Sequence, residues 1–277
     1  MKKLIAEIFK NIAGNGEYFF RKLKYPPDEL LVLCMHSTPL EWQSEFEKII
    51  SFLLRHFKAL DPKKLNEYFA GQLNDGPYIL FTFDDGLKNN LYAAHSLEQR
   101  GLNAIFFIVP EFVQSSNQKE FYLKNIRPVT DVAFDKAEED FTAMSFNDLH
   151  NLQNAGHEIG SHTSSHAMDL RMSDTKLFHE IIDCKIILQY ELNIVPTSFC
   201  SVNNTSHSVN SEAKKLISHH YMYHFTTFPG LNRKDKNKQL IHRRNIEVNW
   251  TLGKIKFSLG QFDLVRWFAS IQQFRDL

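Results

Sequence analysis

Apolar and polar positions fall into blocks along this chain, and the blocks differ in period. LLVLCM (30–35) is apolar throughout and is followed at once by His36, the pattern of a strand covered on both faces. FEKIISFLLRHF (46–57) instead places Phe46, Ile49, Ile50, Leu53 and Leu54 on one side of a helix. After the turn signal Asn74-Asp75-Gly76 come a second buried strand, YILFTF (78–83), and a helical pattern over 89–101 stopped by Gly101. NAIFFIV (103–109), ended by Pro110, is the next strand, so strand, helix and strand follow at the spacing of parallel β/α units. Ser145 and Asp148 sit as a capping box for a helix over 145–156. A short strand follows in HEIGSHTSSH (157–166), then a strongly amphipathic helix over 173–192. TSFCSV (197–202) and HHYMYHFTTF (219–228) read as strands with a helix over 209–220 between them, and IEVNW (246–250) and DLVRWFASIQQF (263–274) finish the chain.

Between 111 and 143 the periodicity is poor and charges are frequent, which predicts an insertion with short helices of its own. In the N-terminal extension, 1–25, Leu4, Ile5, Ile8, Phe9 and Ile12 share one helical face. That face packs on the body or makes a weak peripheral contact with a membrane. No repeat or low-complexity linker divides the sequence, so 1–277 is read as one α/β domain around a parallel sheet.

Composition narrows the partners. Lys plus Arg and Asp plus Glu are 32 each, so no net charge recommends a nucleic-acid ligand. The three cysteines, Cys34, Cys184 and Cys200, have none of the paired metal spacings and are too few for a disulfide scaffold. With no secretory leader pattern and no apolar run long enough to span a bilayer, a cytoplasmic protein is expected, with the inner face of the membrane also open to it.

Chemistry gathers where strands end. In parallel α/β folds active sites form at the C-terminal ends of strands, and His36, Asp84-Asp85, His162 with His166, and Ser201 to Asn204 all fall there. Asp85, His162 and His166 make a two-histidine, one-carboxylate set able to hold a divalent ion with positions left open. Asp84 beside it could accept a proton from water. Adjacent residues of an extended strand point to opposite faces, so both aspartates serve one site only if the backbone turns, and Gly86 would permit that. Taken alone, HTSSH could equally be a polar loop.

TFDDG (82–86), followed by GHEIGSHTSSH (156–166), resembles the polysaccharide deacetylases of the NodB-homology type, the family 4 carbohydrate esterases. The likeness runs from about 30 to 250, and LLVLCMHSTP (30–39) is similar to the opening of one branch. The resemblance implies a distorted (β/α)7 barrel that removes an N-acetyl group from a sugar with one divalent metal, most often Zn2+, with Co2+, Ni2+ or Fe2+ as alternatives. It makes Asp84 the general base and Asp85, His162 and His166 the metal ligands, with Thr163 steadying their loop. Asn203 would supply an oxyanion-hole amide from SFCSVNN (198–204), a segment that departs from the family by lacking its arginine, proline and glycine. The arginine that orients the catalytic aspartate would then come from LIHRRNIEV (240–248), with Arg244 the closest match and Arg243 next. No histidine follows His242, so His36 is the expected pocket acid, with His224 and His242 as alternatives. The implied partner is an N-acetylated saccharide, a nucleotide sugar or a lipid-linked glycan. A hydrolase of another amide or ester on the same metal, and a non-catalytic saccharide-binding relative, are the competing readings.

Overall fold

The computed structural model of the chain describes residue 11 and residues 25–130, 134, 136–202, 208–234 and 237–259. The N-terminal helical face, Asn203 and the stretch 263–274 lie outside the described residues.

The strands are β1 (Glu29–Met35), β2 (Lys58–Ala59), β3 (Tyr78–Phe83), β4 (Ala104–Ile108), β5 (Glu158–Ser161), β6 (Ser198–Cys200), β7 (Tyr223–Phe225), β8 (Asn232–Arg233) and β9 (Arg244–Asn245). They form one sheet in the order β7-β6-β5-β4-β3-β1-β8, with β2 also on β3 and β9 also on β1. Every pairing is parallel except that of β8 with β1. The main helices are α1 (Gln43–Leu53), α2 (Asn90–Glu98), α3 (Phe146–Ala155), α4 (Cys184–Leu192), α5 (Ser211–His220) and α6 (Leu252–Leu259). At the start of α3, Ser145 Oγ accepts from the Asp148 amide while the Asp148 carboxylate accepts from the Ser145 amide. Gly156 ends the helix at φ 107°, a conformation glycine adopts without Cβ strain.

Strand parity sorts the core into two layers. Leu31, Leu33, Met35, Ile79, Phe81, Phe83, Phe106 and Ile108 face outward and pack on Phe46, Ile49 and Ile50 of α1, Ala93 and Leu97 of α2, Leu149 of α3 and Leu188 of α4. The alternate residues Leu30, Val32, Tyr78, Leu80, Ile105, Phe107, Cys200, Tyr223 and Phe225 face inward and fill the barrel. Each fully buried Leu or Phe contributes roughly 1.5–3 kcal/mol, so both layers hold the curl of the sheet.

The curl is closed by the chain's late segment. Ile241 bridges to Phe225 in parallel, and Arg244 and Asn245 pair with Leu33 and Cys34 of β1. The Thr226 amide bonds the Ile241 carbonyl on one side, and the Ile246 amide bonds the Cys34 carbonyl on the other. Residues 241–246 thus act as the seventh parallel stave, between β7 and β1. This is the distorted (β/α)7 barrel expected.

The stretch 111–143 carries short helices, as expected: Pro110–Gln114 and Gln118–Phe121, then a π turn at Tyr122–Ile126 and a 3-10 turn at Arg127–Val129. A second π turn, His179–Asp183, interrupts the helical run predicted over 173–192, which starts at Asp174 and resumes as α4. The helix α6 carries no strong signal in the sequence pattern. Its Ile255 and Leu259 join the outer core layer with Ile246 and Val248.

Candidate active site

The two aspartates that end β3 are both buried, at 1% exposure each, and the backbone turns between them. Asp84 continues the inward parity of Leu80 and Thr82. Asp85 should then face outward, but it adopts φ 72° and Gly86 φ 78°, which bring the second carboxylate back toward the barrel mouth. The turn needs the left-handed region at Asp85 itself as well as at Gly86. For a residue with a Cβ this conformation costs about 1–2 kcal/mol. His166 repeats the device at φ 64° and Thr163 at φ 63°.

These strained positions bring the ligand set together. Asp85 Oδ1 lies 3.1 Å from His166 Nε2 and 3.6 Å from His162 Nε2. The far nitrogen of each ring is occupied: His162 Nδ1 donates to the Cys200 carbonyl and His166 Nδ1 to the Asn125 carbonyl, each at 2.9 Å. Both Nε2 atoms are therefore left as lone-pair donors aimed at one point, the arrangement of metal-ligating histidines. Neither Asp85 oxygen meets a well-aligned hydrogen-bond donor among the described residues, although both are buried. An unmatched buried carboxylate facing two imidazole lone pairs is unfavourable without a cation. The residues present fit a divalent ion.

Both π turns serve this loop. Asn125, whose carbonyl holds His166, lies in the first. In the second, the His179 carbonyl accepts from Ser164 Oγ, and the Glu180 carboxylate accepts from the Ser165 amide and hydroxyl. Thr163 Oγ1 accepts from the Ala167 amide, 2.9 Å away. Side-chain and backbone bonds thus fix a loop that carries two residues in unfavourable φ.

Asp84 is held by an arginine, and here the structure corrects the sequence reading. The partner is Arg243, with Nη1 and Nη2 2.7 Å from Oδ1 and Oδ2, while the expected Arg244 turns away to the Ser258 carbonyl of α6. The reason is parity: on the closing stave Ile241, Arg243 and Asn245 face inward, so Arg244 must face out. Arg243 also donates to Thr82 Oγ1 and the Thr226 carbonyl, and its guanidinium lies 5.4 Å over the Phe107 ring. Burial alone would raise the Asp84 pKa, but the guanidinium, helped by His162, lowers it to about 2.

Two thiols that sequence reasoning passed over stand against this pair. Cys34 Sγ donates to Asp84 Oδ2 at 3.3 Å, and Arg243 Nη2 touches Cys200 Sγ. Burial raises both thiol pKa values, that of Cys200 well above its usual range. The signal was available: Cys34 stands two residues before His36, the inward spacing of a strand.

His36 lines the cavity, and its Nδ1 pairs with Glu247 Oε1 at 2.8 Å. Burial opposes a charge on the ring, but Cys34 and the buried Glu247 carboxylate outweigh it and raise the pKa well above that of an ordinary histidine. Glu247, the third residue missed, is only three positions beyond Arg244 in IEVNW. The alternative acids lie elsewhere. His224 bonds Ser201 Oγ, and burial lowers its pKa to about 4. Neither His224 nor His242 is among the described residues that line the cavity. That cavity holds about 450 Å3, and its lining also includes Pro128, Val129, Thr130, Val202, Thr227 and Asn245.

Residues 72–224 match the sequence model of the polysaccharide deacetylase family. No curated protein sequence matches the chain. Among solved structures, IcaB from Ammonifex degensii superposes with a TM-score of 0.62 at 17% identity, over 85% of this chain and 99% of that one. The deacetylase PplD of Streptococcus pyogenes, in complex with acetate, gives 0.62 at 13% identity over 84% and 99%. BC0361, a polysaccharide deacetylase from Bacillus cereus, gives 0.61 at 17% identity over 84% and 69%. These likenesses identify the fold as the NodB-type deacetylase barrel.

Proposed function

The chain belongs to the polysaccharide deacetylase family, and on that footing we propose that it hydrolyses the N-acetyl group of a sugar or glycan precursor. The observation that carries the reading is the different surroundings of the adjacent aspartates. Asp85 faces two imidazole nitrogens, while Asp84 is pinned by its own arginine 2.7 Å away. A divalent ion held by Asp85, His162 and His166, Zn2+ being favoured by the nitrogen-rich set, would acidify a water and polarise the acetyl carbonyl. Asp84, ionised at any working pH, accepts the proton of the attacking water. Arg243 keeps that carboxylate in one orientation throughout. As the new C–O bond forms and the C–N bond breaks, His36 gives its proton to the departing sugar nitrogen, and Glu247 stabilises the charged ring beforehand. The products are acetate and a free amine. Asn203 is proposed, from its place in the sequence, to offer its amide to the carbonyl oxygen.

The substrates we favour are an N-acetylated nucleotide sugar or a lipid-linked glycan in the cytoplasm or at its membrane face. All three cysteines are free, which agrees with a reducing compartment, and no helix of the described residues is long and apolar enough to cross a membrane. The intact pair of Asp84 and Arg243 argues against a mere binding relative, since a cation site alone has no use for a second, arginine-held carboxylate. The test is acetate release from a panel of N-acetylated nucleotide sugars and lipid-linked glycans. Asp84→Asn should lower the rate by about 10²–10⁴-fold while the protein still binds one metal equivalent. Full metal loading of the unaltered protein with no release from any substrate would refute the hydrolase.

A further inference from the structure

We propose that Cys34, His36 and Asp84 form a second cation site, suited to a thiophilic divalent ion, whose filling stops the reaction proposed above. Cys34 Sγ lies 3.3 Å from Asp84 Oδ2 and 4.0 Å from His36 Nε2, and all three ligand atoms lie within 4.8 Å of one another. Ligands on a tetrahedral ion with sulfur and imidazole bonds stand roughly 3.5 Å apart. Only a small closing motion separates the observed positions from that geometry. His36 is also oriented as a ligand. The buried Glu247 carboxylate takes up Nδ1 at 2.8 Å, which leaves Nε2 facing the thiol, the carboxylate–histidine support typical of metal sites. Asp84 Oδ2 already accepts from Arg243, but a carboxylate oxygen has a second lone pair.

Charge and access favour a cation there. Asp84, Asp85 and Glu247 are three carboxylates against the guanidinium of Arg243 and the charged ring of His36, which gives up its proton on binding, and Cys34, His36 and Asp84 all line the cavity. The competing thiol is Cys200, which forms a similar cluster with Asp84 and His162. Arg243 Nη2 presses on its sulfur, so an ion bound there would face the guanidinium directly. The two cation sites differ in softness. Asp85, His162 and His166 offer one oxygen and two nitrogens, whereas the second site adds sulfur, which selects ions such as Cd2+ or zinc in excess. On binding, the Cys34 S–H and His36 Nε2–H bonds break, both protons leave to solvent, and sulfur–metal and nitrogen–metal bonds take their place. The ion would then cover the acid and the base of the proposed hydrolase together.

The experiment titrates Cd2+ into the full chain already loaded with one equivalent of Zn2+, following bound metal by dialysis and the ultraviolet charge-transfer band of a cadmium–thiolate bond. A second equivalent should bind with that band, and Cys34→Ser should lose both while keeping the first equivalent. Cys200→Ser should keep both, and His36→Gln should weaken the second equivalent at least about tenfold. Cadmium exchanged into the first site gives no band, because that site has no sulfur. Acetate release should fall at least about tenfold at saturation in the unaltered protein, and in Cys34→Ser it should stay at that variant's own cadmium-free rate. A single equivalent, no band, or a band that survives Cys34→Ser and vanishes in Cys200→Ser would overturn the proposal. The inhibition rests on the hydrolase reading. The dialysis and the band do not, so a protein inactive on every substrate would still decide the site.

Discussion

At the scale of single residues, the two arginines of the late segment make the sharpest contrast. Arg243 is fully buried with its charge matched by Asp84, so Arg243→Leu leaves a carboxylate buried and unpaired and should cost about 3–5 kcal/mol in denaturant unfolding. Arg244→Leu removes a contact to α6 and should cost about 1–2 kcal/mol while leaving acetate release within about threefold. Equal effects from the two substitutions would contradict the assignment. The pH dependence follows from the same neighbourhood. Asp84 has a pKa lowered from 3.8 to about 2, so the stability it contributes is complete above its unfolded value and is lost as pH falls through about 2. The contribution is on the order of 2 kcal/mol, visible as a falling unfolding midpoint between pH 4 and 2 that Asp84→Asn makes shallower. His36 moves the opposite way. With its pKa raised well above that of an ordinary histidine, the proposed acid loses its proton at higher pH than a free imidazole would, and activity should decline on that alkaline side. Glu247→Gln should shift the alkaline limb of the rate profile to lower pH, and an unmoved limb would remove His36 from the acid role.

At the scale of elements, one glycine measures how tightly the barrel interior is filled. A Cβ on Gly160 of β5 would stand 2.6 Å from the Phe107 ring and 3.1 Å from the Ser198 carbonyl. The ring cannot yield freely, because the guanidinium of Arg243 lies over it. Gly160→Ala should therefore destabilise by about 1–3 kcal/mol and reduce activity together with stability, as checked by unfolding and acetate release on one preparation. The sequence shows β1, β3 and β4 almost to the residue, because strands buried on both faces need unbroken apolar runs. It also shows α3, whose capping box and final glycine are local chemistry. The strands β2, β8 and β9 pair over two residues each, too few for any period to register. Asp84, Asp85, His162 and His166 could be picked out because their motifs are compact and lie at strand ends. Arg243 could not be separated from Arg244, since the choice depends on which face of a two-residue strand turns inward. Glu247 comes from a distant part of the chain, and only barrel closure brings it to His36.

At the scale of the whole molecule, loop strain and metal binding should be linked. Asp85, Thr163 and His166 hold unfavourable φ values, and Asp85 is a buried carboxylate facing two imidazoles. A cation that relieves this mismatch binds the folded chain and not the unfolded one. Chelation should abolish acetate release and lower the melting temperature, and Zn2+ at a hundred times its dissociation constant should restore about 2.7 kcal/mol. For a chain of 277 residues that is a rise of roughly 5–10 °C in a thermal scan. Asp85→Asn, which tolerates the same backbone, should fold and show no such rise.

The closing stave has one more property. Because Arg243 and Arg244 are consecutive, a slip of 241–246 by a single residue would turn Arg243 outward and bring Arg244 in, so Asp84 would still meet a guanidinium. In such a slip the doublet would keep a guanidinium at the joint between β7 and β1. An error of assembly there would disturb the outer packing on α6 before it deprived the carboxylate of its counterion.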